Sequence, residues 1–333
     1  MIKRYHIGLF LIVLIFTLPS CDLNMKKSDK VRSIGNTSEI LVVVENERQW
    51  EGMIGKVIRE NLGREQYGLN QSEPVFDLAH VSKSSLSDLL KKHRNLLIVE
   101  IDKKIPQTKI EISTDLWSKP QQIIRITAPD TEAFVKTFEE NVHLLEEKYD
   151  KTERDRILTV FRTSLNGKAL KQLKRNFDLK MTIPREFYLA KSDADFMWLR
   201  KEVEKYGQGI MIMSEPYMDT AQFSSPSIVA RLNRYMKQYI PGPSNGSYMK
   251  IDEEYFPPRS TVVNDFITDY TVKTSGLWML ENDFMGGPFL SYSFVDQRNH
   301  QIITLCGYVY QPNRKKRDLL RQLEAIMYSV SFD

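Results

Sequence analysis

Ile40-Leu41-Val42-Val43-Val44 is the stretch that sets the fold class of this chain. Five consecutive apolar residues, mostly β-branched and without alternation, predict a strand buried on both faces, as in a sheet covered by helices. Toward the C-terminus the pattern switches to helical spacing at Met53, Ile54, Val57, Ile58 and Leu62, then returns to strand signals at Pro74–His80 and Asn95–Ile101. Ser85–His93 reads as a short helix, Gln121–Thr127 as a further strand, and Thr131–Tyr149 as a helix with Phe134, Phe138, Val142 and Leu145 along one face. Alternating strands and helices with short loops predict helices packed on a mixed sheet.

Between Asp150 and Phe177 the chain stays helical but becomes charged, with a break at Asn166-Gly167. Beyond it strand signals dominate, at Met181–Lys191, Phe196–Glu204 and Gly209–Met213, although Trp198-Leu199-Arg200 fits the start of a helix equally well. Ser225-Pro226 opens a helix to about Tyr239, because proline is tolerated in the first helical turn where its missing N–H is no loss. Three long strands follow near Asp269–Leu280, Phe289–Asp296 and Gln301–Tyr310, and a last helix over Arg314–Tyr328 presents Leu319, Leu320, Leu323, Ile326 and Met327. The expected fold is α+β (mixed α/β): two α/β sandwich domains, the C-terminal one with a mainly antiparallel sheet covered by helices. Its expected bounds are 39–150 for the N-terminal domain, 151–177 for a helical connector and 178–333 for the C-terminal domain. No internal repeat or low-complexity stretch interrupts this order.

Toward the N-terminus the reading changes character. Residues 22–38 are polar and without period, so 21–38 is expected to be a flexible tether, with a root-mean-square reach of roughly 23 Å. Residues 1–20 carry Lys3 and Arg4 and then an apolar run from Ile7 to Leu18, the n-region and h-region of a secretory signal. The run is shorter than the roughly 20 residues a spanning helix needs. It ends in Leu18-Pro19-Ser20-Cys21, which resembles the lipobox of bacterial lipoproteins. That resemblance implies cleavage between Ser20 and Cys21 and acylation of Cys21, with two or more chains giving stable anchoring. The alternative is an ordinary secreted protein in which Cys21 is incidental.

The chain carries 47 basic and 43 acidic side chains, a net charge of +4 that falls to +2 once Lys3 and Arg4 are removed. Mixed charge of this size excludes a nucleic-acid footprint. Of two cysteines, Cys21 is taken by lipid, leaving Cys306 without a disulfide partner. Cys306 lies in the alternating run Ile302–Val309, where a packed thiol is expected and a nucleophile is not.

Gly242-Pro243-Ser244-Asn245-Gly246 fits the letters G-x-S-x-G, but that chemistry needs a strand, a strained turn and then a helix. Here a helix precedes and prolines flank, so a structural turn is expected. His80, His93, His143 and His300 show no metal-ligand spacing, and no metal or cofactor is assigned. The most distinctive stretch is Asn282–Phe289, where Gly286 and Gly287 sit among Trp278, Phe284, Met285 and Tyr292. Paired glycines suit either a close backbone approach beside a ligand or a tight connection between strands. With the proline-stiffened loop Ile240–Met249, it gives a candidate binding surface of Tyr248, Trp278, Phe284, Met285, Gly286, Gly287 and Tyr292. Arg314-Lys315-Lys316-Arg317 opposes the dipole at the start of the last helix, and is expected to be a solvated face or to meet an acidic partner or anionic headgroups.

At these motifs the chain resembles the lipoprotein family catalogued as domain of unknown function 4837. The likeness rests on Ile40–Val44, Glu73–Phe76, Pro120-Gln121, Ile240–Pro243, Ser247–Met249, Gly276–Trp278, Asp283–Phe289, Gly307–Tyr310, Lys316-Arg317 and Leu323–Ala325. It implies a location and no mechanism. The last third is also similar to the PsbP-like fold of extrinsic, membrane-attached assembly proteins.

No catalytic residue is assigned. The expected role is a lipid-anchored envelope lipoprotein that acts as a non-catalytic binding or assembly module, with the membrane, through Cys21, and an envelope protein as partners. It is placed at the outer membrane facing the periplasm, with the cell surface as alternative. The competing reading is an envelope hydrolase whose site gathers Asp283, Glu254, His300 or Ser244 from distant segments.

Overall fold

The protein is described by a computed structural model over residues 30–333; the expected signal, Ser20 and Cys21 lie outside the described residues. In chain order the elements are β1 (Glu39–Val44), α1 (Glu47–Glu51), α2 (Met53–Leu62), β2 (Asp77–Ser82), β3 (Asn95–Ile101), β4 (Lys109–Thr114), β5 (Gln122–Ala128) and α3 (Thr131–Phe161). Then come α4 (Gly167–Phe177), β6 (Leu179–Lys180), β7 (Tyr188–Ser192), β8 (Phe196–Val203), β9 (Tyr206–Pro216) and α5 (Ser225–Tyr239). The chain closes with β10 (Tyr248–Ile251), β11 (Arg259–Val263), β12 (Thr271–Glu281), β13 (Gly286–Asp296), β14 (Gln301–Tyr310), α6 (Arg317–Tyr328) and β15 (Ser331–Phe332). The fold is α+β.

β1, β2, β3 and β5 are parallel in the order β2-β1-β3-β5, with β4 antiparallel at the edge. β1 alternates between two cores, as its unbroken apolar run requires. Ile40, Val42 and Val44 pack with α2 and α3, while Leu41 and Val43 pack with Leu96, Ile98 and Ile123 on the other face. Val31–Ser38, at the end of the expected tether, runs along this layer: Arg32 bridges Lys119 and Ile34 bridges His93.

α3 extends about 46 Å at 1.5 Å per residue and continues unbroken through residue 150. Its apolar stripe is interrupted after Tyr149 by two buried polar groups, Glu153 and Arg156, and resumes at Leu158. Arg156 Nη1 donates to Asn95 Oδ1 at 2.9 Å and Glu153 Oε1 at 2.7 Å, and its Nη2 to the Arg94 carbonyl at 2.7 Å. They fasten α3 to the amino end of β3. Asn166 then caps α4, accepting from the Ala169 N–H.

The second sheet is antiparallel throughout, in the order β10-β12-β13-β14-β9-β8-β7, with β11 also on β12. Alternation along its strands gives two faces. Tyr292, Leu305, Ile210 and Leu199 face α4 and α6, whereas Trp278, Tyr308, Met211 and Trp198 face α5. The serine cap of α5 is Ser224, one residue before the expected position, so Pro226 still falls in the first turn.

Lys316 and Arg317 are buried, not solvated. The Glu73 carboxylate accepts from the Lys316 N–H at 2.6 Å and the Arg317 N–H at 3.2 Å, supplying an anion at the start of α6. Arg317 donates to Asp77 Oδ2 at 2.7 Å, and Arg321 bonds Asp150 and the Val75 carbonyl. Of the four cations expected to face solvent or a partner, Arg314 and Lys315 are exposed, whereas Lys316 and Arg317 hold α6 against the first sheet, and residues 31–333 form one compact unit.

Candidate functional site

The loop before β10 is a small pinned hairpin. Gly242 N–H donates to the Ser247 carbonyl at 2.8 Å, Met249 N–H to the Ile240 carbonyl at 3.0 Å, and the Ser247 hydroxyl to the Ser244 carbonyl at 2.6 Å. Next to it the β12–β13 turn reverses at Asn282, whose φ is +60°. Asp283 fixes this turn, accepting from the Phe284 N–H at 2.7 Å and from the Ser244 hydroxyl at 2.5 Å. These bonds hold Asp283 below the usual carboxylate range, the Ser244 contact contributing most. Phe284 stands fully exposed at the tip. A large apolar ring held in water by a braced turn is not explained by the packing of its own chain.

Beneath the two loops lies a cavity of about 340 Å³. Ile240, Pro241, Pro243 and Met249 form its roof, Met285 closes one side, and Trp198, Trp278, Tyr308 and Tyr310 form the aromatic walls. The indoles are satisfied internally: Trp198 Nε1 donates to Tyr308 Oη at 3.0 Å, and Trp278 Nε1 to the Val309 carbonyl at 3.1 Å. Glycine makes the packing possible at two places. A Cβ on Gly209 would meet the Tyr308 ring at 2.1 Å, and one on Gly287 would meet the Val309 carbonyl oxygen at 2.1 Å. The ring of Tyr308 therefore lies flat on the sheet opposite Gly209. At the mouth, the Arg200 guanidinium stacks over Trp198, 4.7 Å from the ring centroid, and pairs with Glu202.

Of the seven residues expected at a binding surface, six gather here. Phe284 is the exposed tip, and Met285 lines the cavity. Tyr248 lies half-buried in the adjoining hairpin under Lys237. Trp278 is a buried wall, and Gly286 and Gly287 open β13 behind it. Tyr292 does not join them. It faces α6, fully buried, with its hydroxyl donating to Glu324 at 2.5 Å. Trp198, Arg200, Tyr308 and Gly207 were not singled out in the sequence. The signal present was the alternation Trp198-x-Arg200-x-Glu202, which puts all three on one face of a strand.

The hydrolase constellation does not assemble. Ser244 and Asp283 meet, but His300 sits in the β13–β14 turn, beyond the 11 residues of β13. At about 3.3 Å per residue that is roughly 35 Å away. Among the described residues no three His, Cys, Asp or Glu side chains converge to hold a metal, and no helix is long and apolar enough to cross a membrane. A second, polar cavity of about 740 Å³ opens at the other end of the sheet, around Asp195, Glu215, Arg234 and Asp296. Cys306 is buried, and burial pushes its thiol far up, so it carries no nucleophile.

The fold and this cavity define an α+β protein with an aromatic-walled slot under two braced loops. Residues 146–329, just over half the chain, match the profile of the family described as domain of unknown function (DUF4837), and the chain belongs to that family. Residues 33–162 match a second domain of unknown function (DUF8532), the two matches overlapping along the second half of α3. No curated protein matches the chain.

Proposed function

We propose that this protein is a lipid-anchored module of the bacterial envelope, held to the outer membrane through Cys21, that binds an envelope protein or small ligand at the slot and loops around Phe284. The observation that carries the binding reading is the fully exposed Phe284 on a turn braced by Asp283 and Ser244, directly beside an apolar cavity. Aromatic side chains presented rigidly lose little conformational freedom on binding and are the usual anchors of interfaces. The anchoring reading is supported by the signal and lipobox pattern of residues 1–21.

A non-catalytic role is favoured because the Ser244–Asp283 contact lacks a base. Asp283, held below the usual range, is a weak proton acceptor, and among the described residues no histidine hydrogen-bonds Ser244 or Asp283. An antiparallel sheet with helices on both faces is also the α-β-α arrangement that the PsbP-like resemblance implies, although fold analogy carries no activity.

Metabolic labelling with an alkyne-tagged fatty acid tests the anchor. The wild-type chain is expected to take up label and to fractionate with outer membrane, and Cys21→Ala to lose both. Equal labelling of Cys21→Ala would reject lipidation at this residue.

A further inference from the structure

We propose that the slot takes a small apolar carboxylate, its body against Trp198, Tyr308 and Trp278 and its carboxylate on Arg200; the assignment rests on the reading of the Phe284 surface as a binding site. The size suits a small molecule, at the lower end of the range of about 300–1,000 Å³ for such sites. The floor is open at Gly207, where an added Cβ would find only Tyr310 Cβ, at 4.0 Å.

The walls limit what else the occupant can be. Both indole N–H groups are spent on Tyr308 and Val309, leaving aromatic faces for an apolar body. Tyr308 Oη accepts from Trp198, while its own proton has no acceptor among the described residues. Burial pushes this hydroxyl up to about 12, so it remains protonated and able to donate at neutral pH. A free donor among these aromatic faces suits a ligand that brings an acceptor.

Arg200 decides the charge. Its carboxylate partner is Glu202, two residues along the same strand and half-exposed, which also lines the slot and must swing out to solvent when a ligand carboxylate takes its place. An exposed pair of this kind is weak and is readily exchanged for an incoming carboxylate, to which a guanidinium offers two parallel hydrogen bonds. A quaternary ammonium also suits aromatic walls, but here it would meet Arg200 already stacked on the Trp198 face.

Calorimetric titration of the full chain in phospholipid nanodiscs, with 3-phenylpropionate, its amide and the matching trimethylammonium compound, tests this. The carboxylate is expected to bind at least tenfold more tightly than the amide. Arg200→Gln should remove that preference, and Gly207→Leu should abolish binding with an unchanged unfolding midpoint. Equal binding of carboxylate and amide, or tightest binding of the ammonium, overturns the carboxylate assignment alone. Binding of none of the three overturns both the assignment and the small-ligand part of the surface reading.

Discussion

Glu324 is packed among Lys273 at 2.7 Å, Tyr292 at 2.5 Å and the Arg154 guanidinium. Burial alone would raise its carboxyl, yet these cations and the Tyr292 hydroxyl hold it down to about 2, against 4.5 for the free group. A carboxylate depressed in the folded state adds stability above its unfolded value and loses it as pH falls through the folded one. Stability should therefore fall by about 3 kcal/mol between roughly pH 4.5 and 2 from this group alone. Urea unfolding at pH 7 and pH 3 should show a smaller pH dependence for Glu324→Gln than for wild type; identical slopes would mean that Glu324 titrates normally. Cys306 makes a second residue-scale test. If Cys21 carries lipid as proposed, no thiol of the native chain should react with a maleimide, and one should react after denaturation, because Cys306 is buried. A reactive thiol in the native chain would point to a free Cys21.

Strands and helices were largely legible, because alternation and helical spacing are local properties. Ile40–Val44, Gly209–Met213 and the three long strands β12, β13 and β14 all lie where their apolar pattern predicts. Face was harder to read. Trp278 pairs with Gly287, so Phe289 shares its face and Tyr292 falls on the other. That register depends on a turn at Asn282–Met285, with Gly286 and Gly287 inside β13 and not in the connection. A one-residue slip would have reversed every assignment, and no local signal fixes it. The inward turn of Arg317 was equally hidden, since its partner Asp77 is 240 residues away. At α6 the expected consequence is concrete: Glu73→Ala strips two buried N–H groups of their acceptor and should cost about 2–3 kcal/mol in urea unfolding. An unchanged midpoint would mean that water replaces the carboxylate without loss.

Across the whole molecule, charged side chains join the two sheets beside a smaller apolar contact, in which Leu69 and Phe161 pack into the core of the second sheet. Arg317 and Arg321 reach from α6 to Asp77, Asp150 and Val75, and Arg154 from α3 stacks on Tyr328, 3.8 Å from its ring centroid. Such a seam predicts a single unfolding transition in the wild-type chain. Arg317→Met, which removes the Asp77 and Pro74 contacts, should broaden or split that transition when followed by calorimetry. If the wild type already unfolds in two steps, the seam is not what couples the sheets. The same rigidity lets the slot and the Phe284 turn sit on a fixed platform, which a binding module requires. The most direct test of that role is crosslinking of the full chain in its native envelope, followed by affinity recovery and mass spectrometry, with wild type beside a Phe284→Ala/Tyr248→Ala variant. The account predicts one stoichiometric partner with wild type, lost with the variant at unchanged thermal stability; recovery of the same partner in equal amount from the variant would contradict it.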